Sequence, residues 1–319
     1  MCARYTLTVP DFGALAQALL VPLDDEIGSH YRPHFNIAPG TTQLILHLAP
    51  PDRDENAEEA VVSGRTRGAG PRAQAPRSGR AGGASAAGGR VLVEANWGLL
   101  NRWVKDPAEA RRHVNARAEG VREKPSFREA FARRRCVIPA DGFYEWTGPK
   151  GARQPVWFHP QRGGLLHLAG LHETWHDPTT GEGFRTFVIL TTAANDVVAP
   201  LHDRMPVLLA PEDVDAWLDV EGSNLDEVEA LMRPAPAKVL ALRPVSRRVN
   251  TTREDDPGLL DAVEEEAEAP REASPARSAA GTHGAPAGRG GAVKGRGKKH
   301  AVDDGQLALP LFGEKPGRG

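Results

Sequence analysis

Cysteine is almost missing from this chain, with 2 in 319 residues. A disulfide framework is thereby excluded, and each thiol has to be read as a lone group. Long apolar runs are missing as well, since nothing approaches the ~18–20 residues needed to span a bilayer. A secretory signal is absent too, because Met1-Cys2-Ala3-Arg4-Tyr5 leads into mixed polar sequence. Neither sign of charge dominates: 40 Lys and Arg stand against 42 Asp and Glu, a net charge of −2. That balance excludes a histone-like polycation but leaves room for local basic patches. No group of Cys, His and carboxylates has metal-ligand spacing, and no glycine-rich loop is placed to cradle nucleotide phosphates. Neither a metal nor a cofactor is expected. A cytoplasmic protein without a membrane partner fits these absences.

What is abundant is Gly and Pro, 34 and 27 of them, concentrated in two segments that cannot bury a core. In the first, about residues 50–90, Val61 to Arg90 carries Arg65, Arg67, Arg72, Arg77, Arg80 and Arg90 with no acidic residue. This composition predicts a solvated Arg/Gly-rich insertion within a domain spanning residues 1–256. The second, residues 257–319, opens with Glu264-Glu265-Glu266 and continues with the basic run Arg289, Lys294, Arg296, Lys298 and Lys299. A disordered tail is expected there, ending in an apolar island, Gln306-Leu307-Ala308-Leu309-Pro310-Leu311-Phe312.

Between these segments the chain alternates in the manner of strands. Strands are expected at Gln43–Leu48, from Val91, and at Val156–Phe158, Leu165–Leu171, Phe187–Thr192, Val207–Leu209 and Lys238–Leu242. Cys136–Pro139 and Gly142–Trp146 read as paired strands around an Ala-Asp-Gly turn. Asp11 is suited to cap a helix over Phe12–Leu20. Ser126 and Glu129 form a capping-box pattern for Phe127–Arg134. Further helices are expected after Pro211 and around Leu225–Met232. The sum is an α+β fold: one domain with a mostly antiparallel, barrel-like β core and peripheral helices.

Cys2 carries the most distinctive chemistry. Removal of Met1 would leave an amine and a thiol on adjacent carbons, with ordinary pKa values of ~7.7–8.0 and ~8.5. Such a 1,2-aminothiol captures an aldehyde, first as a Schiff base and then, by closure of the thiol, as a five-membered thiazolidine. The alternative is a cysteine of no consequence on a frayed terminus.

Five segments in order decide between these. They are Met1-Cys2-Ala3-Arg4-Tyr5, Phe35-Asn36-Ile37-Ala38-Pro39-Gly40, Trp97-Gly98-Leu99 with Trp103 and Asn115-Ala116-Arg117-Ala118-Glu119, Cys136 to Trp146, and Thr191-Thr192-Ala193-Ala194 with His202-Asp203-Arg204-Met205-Pro206. Together they resemble the motifs of the SOS-response-associated peptidase family, the abasic-site processing proteins, from about Cys2 to Val249. The resemblance implies a protein that binds single-stranded DNA and traps the ring-opened sugar of an abasic site through Cys2. The resulting thiazolidine DNA–protein cross-link shields the lesion, after removal of Met1 that is autocatalytic or not. Peptidase (hydrolase) and lyase-type Schiff-base chemistry, and a place near damaged forks in the nucleoid, belong to the same expectation.

Roles follow from the resemblance together with side-chain chemistry. Glu145, flanked by aromatic residues, is suited to exchange protons with the Cys2 amine if desolvation raises its pKa. His202 titrates naturally near neutrality and is suited to protonate the sugar oxygen or imine. Asn115 holds the Cys2 terminus or the sugar without titrating. Arg4 and Arg117 are the expected phosphate contacts. Trp103 is placed to stack on bases, whereas Trp97 fits a core position equally well. Asn36 supports the pocket or pins the Ala-Pro-Gly turn, Thr191 donates a hydroxyl nearby, and Cys136 reads as a buried inert thiol. Two departures stand out: Ala3 replaces a family glycine, and Asn96 stands where many relatives carry arginine. A monomer is expected. The C-terminal island resembles the Gln-Leu-x-Leu-Pro-Leu peptide that bacterial proteins use to bind the sliding clamp, through Gln306, Leu307, Leu309 and Leu311. Two other readings fit parts of the pattern: a cysteine protease acting on other proteins, and a non-catalytic single-stranded DNA binder.

Overall fold

The computed structural model describes residues 2–49, 89–108, 110–149, 151–263 and 306–307. Residues 50–88 of the Arg-rich insertion, the basic run, Leu309 and Leu311 lie outside the described residues.

The chain begins with β1 (Tyr5–Leu7), α1 (Phe12–Leu19), α2 (Asp25–His30), β2 (His34–Ile37), β3 (Thr42–Leu48) and β4 (Arg90–Trp97). Then come β5 (Arg112–His113), β6 (Asn115–Arg117), α3 (Arg128–Arg133), β7 (Arg135–Ala140), β8 (Gly142–Thr147), β9 (Gln154–Pro160), β10 (Leu166–His176) and β11 (Gly183–Ala193). The domain closes with β12 (Arg204–Pro206), β13 (Leu208–Leu209), α4 (Val214–Leu218), α5 (Leu225–Ala230) and β14 (Leu240–Pro244). Apart from these lies β15 (Gln306–Leu307).

Five strands close into a barrel in the order β11-β4-β3-β7-β10, with β10 returning to β11. Only the β4–β11 pairing within it is parallel, so the barrel is mixed but mostly antiparallel. A second, wholly antiparallel sheet runs β14-β9-β8-β1-β2. The α+β, single-domain architecture with a barrel core is as the alternation implied. Closure explains why the barrel strands read as nearly continuous apolar runs: β7 is buried at all six positions and leaves no exposed edge.

β7 and β8 are not a hairpin. β7 pairs with β3 and β10 in the barrel, whereas β8 pairs with β1 and β9 in the other sheet. Asp141 alone separates them and turns the chain from one sheet to the other. Gly142 is not there for a tight turn either. A Cβ on it would lie 2.1 Å from Trp157 Nε1 and 2.8 Å from the Phe158 carbonyl, so the glycine serves close strand contact. Asp141 fixes the corner through its carboxylate, which accepts from the Thr6 hydroxyl, the Thr8 N–H and, at 2.6 Å, the Thr8 hydroxyl. Those bonds pin β1, the strand that leads out of Cys2.

The helix starts divide. Asp11 caps α1, its carboxylate accepting the Ala14 N–H at 2.8 Å. The Ser126–Glu129 capping box does not form. The N-cap is Phe127, without a side-chain cap bond, and Glu129 pairs with Arg102 instead. Burial of Phe127 edge-on against His113, 4.9 Å between ring centroids, outweighs a cap of about 1 kcal/mol. Pro211 opens a 3₁₀ turn that runs directly into α4. Order continues beyond residue 256. Leu259 is fully buried beside Tyr144, Trp157, Val245 and Val249, and Ala262 bridges to Val245.

Candidate active site

Cys2 sits just before β1 and is fully buried. Asn115, the first residue of β6, donates Nδ2–H to the Cys2 carbonyl at 2.8 Å. β6 is placed by its parallel pairing with β11, Asn115 opposite Ile189. The other amide atom of Asn115, Oδ1, is buried without a partner among the described residues, so an acceptor remains in the pocket. The Cys2 thiol approaches the Arg4 carbonyl at 3.6 Å. Burial, and then the charge of Glu145, raises the thiol pKa well above its ordinary value. The resting sulfur is therefore a neutral thiol.

Glu145 lies on β8, which adds to β1 through Tyr5–Phe143 and Thr6–Gly142 pairing. It is 4% exposed, and burial pushes its pKa up to about 7. A carboxyl poised there both accepts and returns a proton at neutral pH. His202 is partly exposed, on the turn that enters β12. Its Nδ1 accepts the Arg204 N–H at 2.9 Å and also lies 2.9 Å from Asp203 Oδ1. An amide needs a lone pair on Nδ1, while an ion pair needs a proton there. Burial lowers the His202 pKa, which favours the neutral ring with the proton on Nε2.

The remaining expected site residues separate into two groups. Arg4 and Asn36 face each other: Arg4 Nη1 donates to Asn36 Oδ1 at 2.8 Å and to the Val249 carbonyl at 3.0 Å. Asn36 Nδ2 also reaches the Thr251 and Glu254 carbonyls at 2.9 and 3.0 Å. This amide is engaged on every side and clamps the 249–254 segment. Thr191 is buried, its hydroxyl donating to the Ala116 carbonyl at 3.4 Å. These three hold the pocket's frame. Arg117 is half-buried, with Nε buried and without a hydrogen-bond partner among the described residues, and Trp103 is 65% exposed. Trp97 is core: it is buried, donates Nε1–H to the Val114 carbonyl at 2.9 Å and meets Tyr5 edge-on. Cys136 is buried with its pKa raised by desolvation, consistent with an inert thiol.

Ala3 does not have a positive φ, so alanine meets no backbone strain there. Asn96 donates to the Gly40 carbonyl at 2.7 Å and secures the Ala-Pro-Gly turn.

Sequence reasoning assigned no role to Glu119 and Arg204, although both sit inside the quoted motifs. Arg204 grips the Glu119 carboxylate with two bonds of 2.8 and 2.7 Å, and this holds the Glu119 pKa down. The fork joins the His202 turn to the segment after β6, which fixes His202 relative to Asn115. The two residues stand 85 positions apart, and nothing local to either marks the pairing. Among the described residues no group of three or more His, Cys, Asp or Glu is placed to hold a metal, and no helix is long and apolar enough to cross a membrane.

A family model described as SOS response associated peptidase (SRAP) matches residues 1–252. The Abasic site processing protein YoqW of Bacillus subtilis (strain 168) is 37% identical over 172 residues, 53% of this chain and 76% of its own. The Abasic site processing protein HMCES of Gallus gallus is 35% identical over 198 residues, 55% of this chain and 58% of its own. A crystal structure of a protein from Bacteroides thetaiotaomicron aligns with a TM-score of 0.62 at 20% identity, covering 82% of this chain and 100% of that one. That last likeness is one of fold.

Proposed function

The chain belongs to the SOS response associated peptidase family, and we propose that it binds single-stranded DNA and captures abasic sites covalently through Cys2. The observation that carries this reading is the placement of Cys2, its carbonyl held by Asn115 and its thiol within the electrostatic reach of a carboxyl poised at about 7. A general cysteine protease would need a thiolate, and this site raises the thiol pKa. An aminothiol acting on an aldehyde does not need one. Its amine attacks first and water leaves as the Schiff base forms. The thiol then adds across the C=N bond, its proton passing to nitrogen, and the ring closes with no change in oxidation state.

Glu145 takes a proton from the Cys2 ammonium and returns it as the imine is closed or reopened. His202 presents Nε2–H to the sugar oxygen. Asn115 Oδ1, without a partner among the described residues, accepts from the Cys2 amine or the sugar hydroxyl. Arg4 and Arg117 contact phosphate and Trp103 stacks on a flanking base, while Asn36 and Thr191 support the pocket that receives the DNA. Loss of Met1 precedes capture, and the Gln306–Leu311 peptide recruits the protein to the sliding clamp.

Incubation with an abasic single-stranded oligonucleotide, read on a denaturing gel, tests the chemistry. Wild type should give a heat-stable shifted band, and intact DNA should not. Cys2→Ala should give no stable band without reductant. A stable band from that variant, or an intact mass that retains Met1 in protein that cross-links, would sink the mechanism.

A further inference from the structure

β5 is only two residues long, yet it is flanked on both sides. On one side His113 exchanges both backbone bonds with Leu99, at 2.8 and 3.1 Å. On the other side β15 lies antiparallel, Gln306 opposite His113 and Leu307 opposite Arg112. Adjacent residues of an antiparallel strand point their N–H and C=O groups to opposite sides. Since His113 faces Leu99, Arg112 faces Leu307, and this is the pair that shares the ladder bonds.

Arg112 and His113 are both buried. A buried N–H and C=O on that edge without a partner would cost on the order of 1–3 kcal/mol each. The strand Gln306–Leu307 lies on that edge and faces the outward N–H and C=O of Arg112. The edge's position gives its occupant a consequence: Asn115, which holds Cys2, lies two residues beyond His113 on the same run of chain.

We infer that the outer edge of β5 is a strand-addition site whose occupant is the chain's own Gln306–Leu307 segment, and that this added strand braces the wall carrying Asn115. Recognition is through the main chain, as in other cases where an extended peptide completes a sheet. The inference goes beyond the covalent chemistry and stands whether or not Cys2 captures DNA.

Hydrogen exchange of the Arg112 amide in the full chain reads it directly. Leu307→Pro removes a ladder donor, whereas Leu307→Ala retains it. The Arg112 amide should exchange at least tenfold faster in Leu307→Pro and close to the wild-type rate in Leu307→Ala, with the Leu190 amide of the barrel unchanged in both. Wild-type exchange at Arg112 in the proline variant, or equal acceleration by both substitutions, would overturn the inference.

Discussion

A carboxyl held at about 7 by burial costs stability whenever it is ionised, and Glu145 is such a group. Its pKa rises from 4.5 to about 7, so the folded state binds the proton more tightly than the unfolded chain. The stability associated with that proton is fully present below about 4.5 and is lost as pH rises through 7. At ~1.4 kcal/mol per unit, the penalty at pH 8 is about 3 kcal/mol. Glu145→Gln should therefore raise the unfolding free energy at pH 8 and change it little at pH 5, checked by denaturant titration at both. The same variant should lose the rise in cross-linking rate through pH 7, because the base that titrates there is gone. Arg117 presents the opposite condition, a guanidinium nitrogen without a hydrogen-bond partner among the described residues. If it contacts one phosphate, Arg117→Ala should weaken binding to every sequence alike. The log–log salt slope should then fall by about 0.7, and an unchanged slope would remove Arg117 from the DNA contact set.

At the scale of elements, the corner at Asp141 joins the two sheets and holds the strand that follows Cys2. Its carboxylate accepts three bonds from Thr6 and Thr8, and bonds to a charged acceptor are worth roughly 1.5–3 kcal/mol each. Asp141→Ala should cost about 3 kcal/mol or more in urea unfolding. It should also slow cross-linking while leaving non-covalent DNA affinity nearly intact. A variant that unfolds like wild type would show that the corner is held by packing alone. The same corner shows what was legible beforehand. Alternation and apolar runs located β3, β8, β9 and β10, because those patterns are physical consequences of strand burial. Ala-Asp-Gly looked like a hairpin turn, since Asp-Gly favours one; which sheet each flanking strand joins depends on Trp157, distant in sequence. Asp11 and the Ser126–Glu129 pair are equally good caps on paper. Both precede a buried aromatic residue, but Phe12 lies inside its helix and leaves Asp11 at the N-cap, whereas Phe127 takes the N-cap position itself and Glu129 pairs with Arg102. Within the pocket, Cys2, Asn115, Glu145 and His202 were visible as reacting groups, whereas the Arg204–Glu119 fork was not. A bidentate pair is a property of the approach of two strands and has no local signature.

For the whole molecule, the C-terminal segment has two candidate seats, and they compete. Gln306 and Leu307 pair with β5, and the same two residues open the peptide proposed to enter the sliding clamp. A backbone bonded in one ladder cannot be wrapped in another protein's cleft at the same time. The affinity of the full chain for the clamp is then the affinity of the free peptide reduced by the fraction of molecules with an empty β5 edge. If the edge is filled nine times in ten, the reduction is about tenfold, or ~1.4 kcal/mol. Titration of purified clamp with a Gly305–Gly319 peptide and with the full chain should thus give a several-fold weaker dissociation constant for the chain. Clamp binding should also accelerate exchange of the Arg112 amide, since occupation of one seat empties the other. Equal affinities with Arg112 still protected at saturating clamp would mean that the two contacts coexist. The strand on β5 would then be a fixed brace, and the clamp would have to read a different part of the tail.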